Sequence, residues 1–410
     1  MNENSGKIAD WLRRPEVLLF AMAAAVPISF ATWRTLLNNF AVERANFDGA
    51  EMGILQSIRE IPGFMAFAVV FILLFLKEQR LAYLSLIALG IGTALTGFYP
   101  SAVGLYFTTV IMSIGFHYYE TVQTSLALQW IDKEKAPETL GRIVAVGSAV
   151  SLGMYGLIWV GTELLALDYV WLYLITGGGS ALLAVFCWFF YPIYPERVAQ
   201  NKSLVLRKRY WLYYALTFMS GARRQIFIVF AAFMMVEKFE YTVSAVAGLY
   251  LINALINIKL APMIGRFIAR WGEQKALICE YIGLILVFTT YAFVEDPFWA
   301  AVIYVVDHLF FAMAIAIKTY FQKIADPADI ASTAGVAFTI NHIAAVFLPA
   351  GLGIVWLTAP EMVFLIGAGM ACISLVLSFN VPSRPVPGGE VRLGHRGAKK
   401  QSASTEVPAE

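Results

Sequence analysis

The sequence predicts an all-α membrane protein with twelve transmembrane helices in two pseudo-symmetric six-helix bundles. Three observations carry this prediction: the composition, the recurrence of long apolar runs and an internal repeat. Of the 410 residues, 59% are hydrophobic and only 14% are charged, and the mean hydropathy is +0.69. Lipid accepts so much apolar surface more readily than water does. The runs are too long and too uniformly apolar for the alternating ~10-residue strands of a membrane β-barrel.

The apolar runs are long enough to span a bilayer, which takes roughly 20 residues of helix. The predicted spans 1 to 12 cover residues 16–39, 50–76, 80–98, 102–128, 142–163, 170–192, 211–234, 243–264, 275–294, 298–321, 332–355 and 360–380. Residues 1–15 are polar and lack a signal peptide with a cleavage site, so span 1 is expected to remain in the protein. A cytoplasmic linker, 194–209, separates bundles 16–193 and 210–381. The tail, 382–410, has no apolar periodicity and is predicted to be disordered.

Lysine and arginine residues in the connections predict the orientation. Twenty-two of them lie in the termini and connections on one side of the membrane, and only Arg44 and Lys238 lie on the other. The positively charged side is expected to face the cytoplasm. We therefore expect both termini to be cytoplasmic in a multi-pass protein of the cell inner (plasma) membrane.

The two halves of the chain repeat at a nearly constant offset. Residues 42–44, Val-Glu-Arg, match residues 236–238, Val-Glu-Lys, at an offset of 194. Further matches at offsets of 193 or 194 pair Gln129 with Gln322, Ile131 with Ile324, and Gly141 with Gly335. A parallel duplication of this kind relates two six-helix units by a pseudo-twofold axis along the membrane normal.

With these features the chain resembles the major facilitator superfamily over about residues 15–380. After span 8, Gly265, Arg270, Gly272 and Lys275 match the family's loop signature Gly-x-x-x-Asp-Arg-x-Gly-x-x-Lys, while Ala269 replaces the acid. The loop after span 2, residues 77–80, lacks the glycine frame. The resemblance implies a structural or gating role for the four matching residues. The glycines would allow a tight turn, and Arg270 would reach a helix C-terminus or an acid.

Charged residues inside the spans indicate the kind of solute. Six basic residues lie there, namely Arg34, Arg59, Arg223, Arg224, Lys259 and Lys318. A cation at bilayer depth costs several kcal/mol and normally faces a protein-lined cavity. Three acids, Glu60, Glu120 and Asp307, lie at comparable depth, so the interior has a surplus of three positive charges. This surplus predicts an anionic substrate.

In the first half, Arg34 and Arg59 are candidate substrate-binding residues. One alternative is a structural pair between Arg34 and Glu60 that holds spans 1 and 2 together. Arg59 would then have no local acid, and a substrate anion would be its partner. Under this alternative Glu60 has a structural or gating role.

Span 4 carries His117 and Glu120 on one helix face, since residues three apart are neighbours. A charged carboxylate at this depth is costly, so Glu120 is a candidate proton-coupling residue with His117 as relay or hydrogen-bond partner. The alternative is a polar cluster whose groups satisfy one another. In the second half, Asp307 and His308 of span 10 are further candidates for proton coupling; His308 could also serve only as a hydrogen bond between helices.

In the second half, Arg223 and Arg224 are the leading substrate-binding candidates because they lie near mid-membrane. Arginine is suited to bidentate binding of carboxylate or phosphate. Asp307 could clamp one of the two. Further substrate-binding candidates offer amide or hydroxyl groups: Asn253, Asn257, Tyr304 and Asn341. Lys318 lies near the inner interface and is left out of the site.

The sequence thus predicts a secondary active transporter that moves a small anionic organic solute by alternating access and leaves proton coupling open. No phosphate-cradling loop, metal-ligand spacing or nucleophile elbow occurs, so neither an enzyme nor a cofactor or metal is expected. The expected partners are the lipid bilayer, the solute and, in the coupled case, protons; nucleic acid is not expected. Alternatives are an exporter of amphipathic or drug-like compounds and a transport-inactive sensor on the same fold.

Overall fold

The computed structural model describes residues 13–130, 136–195, 206–326 and 330–393. The first half forms α1 (Pro15–Ala45), α2 (Gly49–Phe64), α3 (Glu78–Thr96), α4 (Ala102–Trp130), α5 (Ala136–Glu163) and α6 (Tyr169–Phe190). The second half forms α7 (Lys208–Glu237), α8 (Val243–Trp271), α9 (Glu273–Phe293), α10 (Pro297–Ile324), α11 (Ile330–Trp356) and α12 (Pro360–Ser378). Across these described residues the chain is helical without a β-strand, which confirms the all-α membrane fold.

Three of the helical segments are irregular. A 3-10 turn, Met65–Ala68, separates α2 from a short helical piece, Val69–Ile72. A π-helical turn, Ile226–Ala231, interrupts α7, and a 3-10 turn, Ala312–Ala314, interrupts α10.

Nine helices in the described part of the chain are long and apolar enough to cross a membrane. The segments α2, α3 and α4 do not meet that criterion. In α2 the regular helix stops at Phe64, and in α4 the polar residues His117 and Glu120 lie within the helix. The number of twelve spans therefore stays a prediction.

Polar side chains define where several helices begin. Asp48 precedes α2, and its Oδ1 accepts a 2.8 Å hydrogen bond from the backbone N–H of Glu51, whose side chain accepts a bond in return from the Asp48 N–H. This reciprocal capping box satisfies two donors that the helix itself leaves free. The side chains of Thr242 and Asp296 likewise accept a backbone N–H at the start of α8 and α10.

The helices pack as two bundles that meet along two helix pairs. Within the first bundle α3 packs against α4 and α6, and α1 packs against α5 and α6. Within the second, α9 packs against α12, and α7 packs against α11 and α12. Between the bundles, α2 packs against α11 and α5 packs against α8. A twofold rotation that exchanges α1–α6 with α7–α12 places α2 on α8 and α11 on α5. It therefore maps the α2–α11 pair onto the α8–α5 pair, as the sequence repeat predicts.

The two bundles close against each other at the end where α2 begins and α11 ends. A Cβ atom added at Gly53 would lie 2.2 Å from the Pro349 carbonyl oxygen, so the two backbones touch there. The Asn39 side-chain amide donates a 2.6 Å hydrogen bond to the Tyr241 carbonyl across the halves. We call this contact between the N-terminal half of α2 and the C-terminal half of α11, with the adjoining ends of α1 and α7, the outer contact, because the sequence predicts that this end faces away from the cytoplasm.

Part of the predicted tail is ordered. The Tyr320 hydroxyl donates a hydrogen bond to the carbonyl of Glu390, a residue that is buried at 5% exposure. The Arg392 backbone N–H donates to the Asn380 carbonyl at 2.8 Å. Residues 382–393 therefore do not show the expected disorder. Ile131 and most of the expected N-terminus and linker lie outside the described residues.

Candidate functional site

Charged side chains of three helices surround a solvent-accessible space between the bundles. Glu120 of α4 and Arg224 of α7 are exposed to solvent although they lie deep within the molecule, and Lys318 of α10 is exposed as well. Arg224 lies within electrostatic range of Glu120, and Glu120 within range of Lys318. We call the space that these side chains reach the central cavity. Because the outer contact closes one end of it, solvent reaches it from the other end.

Arg224 has a free guanidinium group in this cavity. No carboxylate among the residues that the structure describes forms an ion pair with it within 4.0 Å. The interior Arg224, unlike Arg59 and Arg223, therefore keeps its hydrogen-bond donors available for a solute.

Arg34 lies against a cluster of tyrosine rings. Its guanidinium carbon is 5.1 Å from the centroid of the Tyr250 ring, and that ring lies 5.5 Å from the ring of Tyr155 and 6.3 Å from that of Tyr304. A cation over an aromatic face is stabilised electrostatically without being neutralised. The alternative pair of Arg34 with Glu60 is wrong, because Glu60 is bound by a different arginine.

Arg59 pairs with its sequence neighbour Glu60. Both side chains are buried, and the Arg59 Nε and Nη2 atoms donate to the same carboxylate oxygen, with a 3.1 Å distance from Nε. The expectation that Arg59 lacks a local acid is therefore wrong. A paired guanidinium contributes little net charge to a solute site, so the structure does not support Arg59 as a free anion ligand.

Arg223 is bound away from the central cavity. Its Nη2 atom lies 3.5 Å from Glu280 Oε1, and both side chains are at 0% exposure. The guanidinium also stacks over the Tyr281 ring at 4.4 Å. The expected clamp of one of these arginines by Asp307 does not form among the described residues, and Glu280 lowers the surplus of interior positive charge from three to two.

The residues predicted for proton coupling fall into two places. His117 is buried beside Glu60, with 4.0 Å between His117 Nε2 and Glu60 Oε2, whereas Glu120 faces the central cavity. The two residues were predicted to share one face of α4. The structure instead places His117 at an interface between helices and Glu120 at the cavity. In the second half, Asp307 is at 0% exposure, and neither of its carboxylate oxygens has a hydrogen-bond partner among the described residues.

The other second-half candidates are mostly engaged in packing. Asn253 Nδ2 lies 3.1 Å from His308 Nδ1, which also lies 2.9 Å from the Tyr304 carbonyl oxygen, so both residues are engaged in contacts between helices. Tyr304 is buried at 2% exposure. Asn341 packs against α7 so closely that a Cβ atom at Gly221 would lie 2.4 Å from its Oδ1. Asn257 is partly exposed.

The loop motif after α8 forms a tight turn. Gly272 has φ of 83°, a conformation that side chains disfavour, and its N–H donates a 2.8 Å bond to the Ile268 carbonyl. Arg270 and Lys275 both lie over the Trp271 ring, at 5.8 and 5.0 Å, rather than against an acid. No atom of the described residues lies within 4 Å of a Cβ atom placed at Gly265. The gating role of these residues stays a prediction.

Sequence reasoning missed the partners that lie on other helices. His342 of α11 lies 3.4 Å, Nε2 to Oε2, from Glu60 of α2, and Glu280 of α9 reaches Arg223 of α7. No spacing in the sequence signals these contacts, because each joins two helices that are distant along the chain. The aromatic surroundings of Arg34 are likewise contributed by α5, α8 and α10.

This arrangement, with charged side chains between two bundles of apolar helices, is typical of membrane transporters. The model of the Major Facilitator Superfamily matches residues 17–349, and the chain belongs to that family. No curated protein matches the chain in sequence.

Solved structures with this fold include two of the nucleoside transporter NupG. A mutant form of NupG aligns with a TM-score of 0.73 at 17% identity, over 89% of this chain and 99% of that one. The other NupG structure aligns with a TM-score of 0.70 at 18% identity, over 89% and 97%. A bacterial homologue of the human lysosomal transporter Spinster, in an inward-facing and occupied conformation, aligns with a TM-score of 0.67 at 14% identity, over 89% and 95%. At these identities the likeness shows the fold.

Proposed function

We propose that the protein is a secondary active transporter that moves a small anionic organic solute by alternating access. Membership of a family of carriers supports transport rather than catalysis. The single observation that supports an anionic solute is the solvent-accessible Arg224 in the middle of the molecule, which forms no ion pair with a described carboxylate. Placing that charge at bilayer depth is costly unless a ligand or water compensates it.

In this proposal Arg224 and Arg34 bind the negative group of the solute. The guanidinium group of Arg224 donates two parallel hydrogen bonds to a carboxylate or phosphate. Arg34 contributes its charge from the tyrosine cluster, where an aromatic face rather than a carboxylate lies against it. Asn257 and Asn341 are half-buried and supply amide groups that orient the rest of the solute. Arg59 and Arg223 have their own acids and act structurally.

Proton coupling is part of the proposal because of the electrical work involved. With the termini in the cytoplasm, a potential negative inside opposes uptake of an anion by about 2.3 kcal/mol per charge per 100 mV. Uptake therefore needs co-transported cations, whereas export is assisted by the potential. Glu120 is accessible from the cavity and is one candidate for proton exchange.

Three other functions remain as competitors. An exporter of amphipathic compounds would use the aromatic surroundings of the cavity and depend weakly on single arginines. A transporter of nucleosides is a further competitor, because a nucleoside transporter is among the similar structures. A transport-inactive sensor on the same fold would bind a solute without moving it.

A binding screen tests the charge of the solute. Purified protein is heated with pairs of compounds that differ only in charge, each a carboxylate and its neutral amide, and nucleosides are included. We expect the carboxylate of a pair to raise the melting temperature and its amide to raise it less. Arg224→Gln should weaken binding of the carboxylate about 10- to 100-fold, because a hydrogen bond to a charged group contributes about 1.5–3 kcal/mol.

Arg44→Gln is the matched control, since Arg44 is half exposed in an ion pair with Asp168, near the outer end of α1, away from the central cavity. It should bind the carboxylate as the unmodified protein does. Equal weakening in both variants, or a preference for nucleosides over every anion, would show that the solute is not recognised by its negative charge.

A further inference from the structure

Three titratable side chains meet where the two bundles touch. Glu60 comes from α2, His117 from α4 and His342 from α11, and all three are buried. Glu60 Oε2 lies 3.4 Å from His342 Nε2 and 4.0 Å from His117 Nε2. The three donor atoms lie within 4.8 Å of one another. Two of these residues belong to the first half and one to the second, so the cluster exists only while the bundles are in contact here.

Hydrogen bonds determine which nitrogen of each histidine carries hydrogen. His342 Nδ1 lies 2.8 Å from the Phe338 carbonyl oxygen, which can only accept, so Nδ1 must be the donor. His117 Nδ1 lies 3.0 Å from both the carbonyl and the hydroxyl oxygen of Ser113. That hydroxyl donates its hydrogen to the Arg59 carbonyl, so it also accepts from His117. In their neutral forms both rings therefore carry hydrogen on Nδ1 and a lone pair on Nε2.

The two Nε2 lone pairs face the carboxylate oxygen of Glu60 that Arg59 does not bind. Arg59 donates to the Oε1 atom, which leaves Oε2 to the histidines. Three electron-rich atoms at this spacing repel one another in a buried site, and a proton placed between two of them would turn that repulsion into a hydrogen bond. We propose that this cluster binds one proton, shared between His342 Nε2 and Glu60 Oε2, with His117 Nε2 as the alternative acceptor.

The surrounding charges favour a proton over a metal ion. Arg59 of α2 and Arg224 of α7 lie within electrostatic range of His342, as does Glu60. Glu120 of α4 lies within range of Glu60 and Arg224. Two guanidinium groups therefore face the cluster, against the carboxylates Glu60 and Glu120. A divalent cation would add two charges to this balance, whereas a proton adds one and forms a hydrogen bond.

The proton links solute transport to the movement of the bundles. It completes a bond between α2 and α11 at the inner edge of the outer contact, so binding it favours the closed outer contact. When the bundles part, His342 leaves Glu60 and the proton is released. This inference rests on the proposed proton coupling and assigns it to these residues. By linkage, one such proton changes the ratio of closed to open protein at most about tenfold per pH unit.

Distances between one spin label on α2 and another just beyond the end of α11 test the inference without any solute. In a background in which Cys187, Cys279 and Cys372 are replaced by serine, labels are attached to the exposed positions of Ile54→Cys and Leu357→Cys. We expect the population with the short distance to fall as the pH rises. In His342→Phe the population should no longer depend on pH, because the acceptor in the second half is lost.

Glu60→Gln distinguishes loss of the proton from loss of folding. Its amide can donate a permanent hydrogen bond to His342 Nε2 while its oxygen still accepts from Arg59. The closed population should therefore stay high at every pH. Glu295→Gln, which removes an exposed carboxylate in the loop between α9 and α10, is the control and should keep the pH dependence.

Three results would overturn the inference. They are a closed population that does not depend on pH in the unmodified protein, an unchanged pH dependence in His342→Phe, and a pH-dependent population in Glu60→Gln. Equilibrium dialysis against Zn²⁺ tests whether the cluster binds a metal ion instead of a proton. One bound equivalent that is lost in His342→Phe would identify a metal site instead of a proton site. All these results are independent of whether the solute is an anion.

Discussion

Ion pairing decides which interior arginines a solute can reach. Arg59 and Arg223 each hold a buried carboxylate, whereas Arg34 and Arg224 have no such partner among the described residues. The sequence places Arg223 and Arg224 side by side, but consecutive helix positions point about 100° apart. Only one of the two can face the cavity fully, and the sequence does not show which. The deciding partner of Arg223, Glu280, lies on α9, 57 residues away.

Removal of Arg223 alone should destabilise the protein because Glu280 would be left as a buried carboxylate without a partner. Breaking a buried ion pair typically costs about 3–5 kcal/mol. We expect Arg223→Met to lower the midpoint of thermal unfolding in detergent strongly.

The double variant Arg223→Met with Glu280→Leu should recover most of that loss, since it removes both charges and keeps apolar volume. If Arg223→Met is as stable as the unmodified protein, the pair has no structural role. A double variant that unfolds as early as the single one would point to a role of Arg223 in packing rather than in pairing.

The close packing of α2 against α11 depends on small residues at the outer contact. A Cβ atom at Gly353 would lie 2.5 Å from the Gly49 carbonyl oxygen, and that distance is too short for any real contact. Two residues earlier, Gly351 is exposed, and a Cβ atom placed there would have no neighbour within 4 Å in the part of the chain that the structure describes. Helix positions were predictable from the apolar runs, but this contact was not, because it depends on how two distant helices approach.

Gly353→Ala should therefore open the outer contact, and Gly351→Ala should leave it closed. In the serine-substituted background, Ser57→Cys introduces a thiol at a position where the Ala350 N–H now donates a 3.0 Å bond to the serine hydroxyl. We expect a water-soluble maleimide to react with this thiol faster in Gly353→Ala. Equal rates in the two alanine variants would mean that backbone contact does not hold the bundles together.

At the scale of the whole molecule, two repeated bundles surround a charged cavity that is closed at one end. The sequence predicted this architecture well, because composition, apolar runs and the repeat of residues 42–44 at 236–238 all reflect the membrane and the duplication. It predicted the candidate site less well. Glu60 and His342 lie 282 residues apart, and their contact follows only from the packing of α2 against α11.

The proposed pathway for an anion is tested most directly by uptake into liposomes. A carboxylate that binds in the thermal screen is offered to reconstituted protein, together with its neutral amide, while the initial rate of uptake is measured. We predict uptake of the carboxylate by the unmodified protein and by Arg44→Gln. In Arg224→Gln, kcat/KM should fall about tenfold or more, because the variant loses a charge-assisted hydrogen bond. The same rate in Arg224→Gln, or uptake of the amide as fast as that of the carboxylate, would contradict the account.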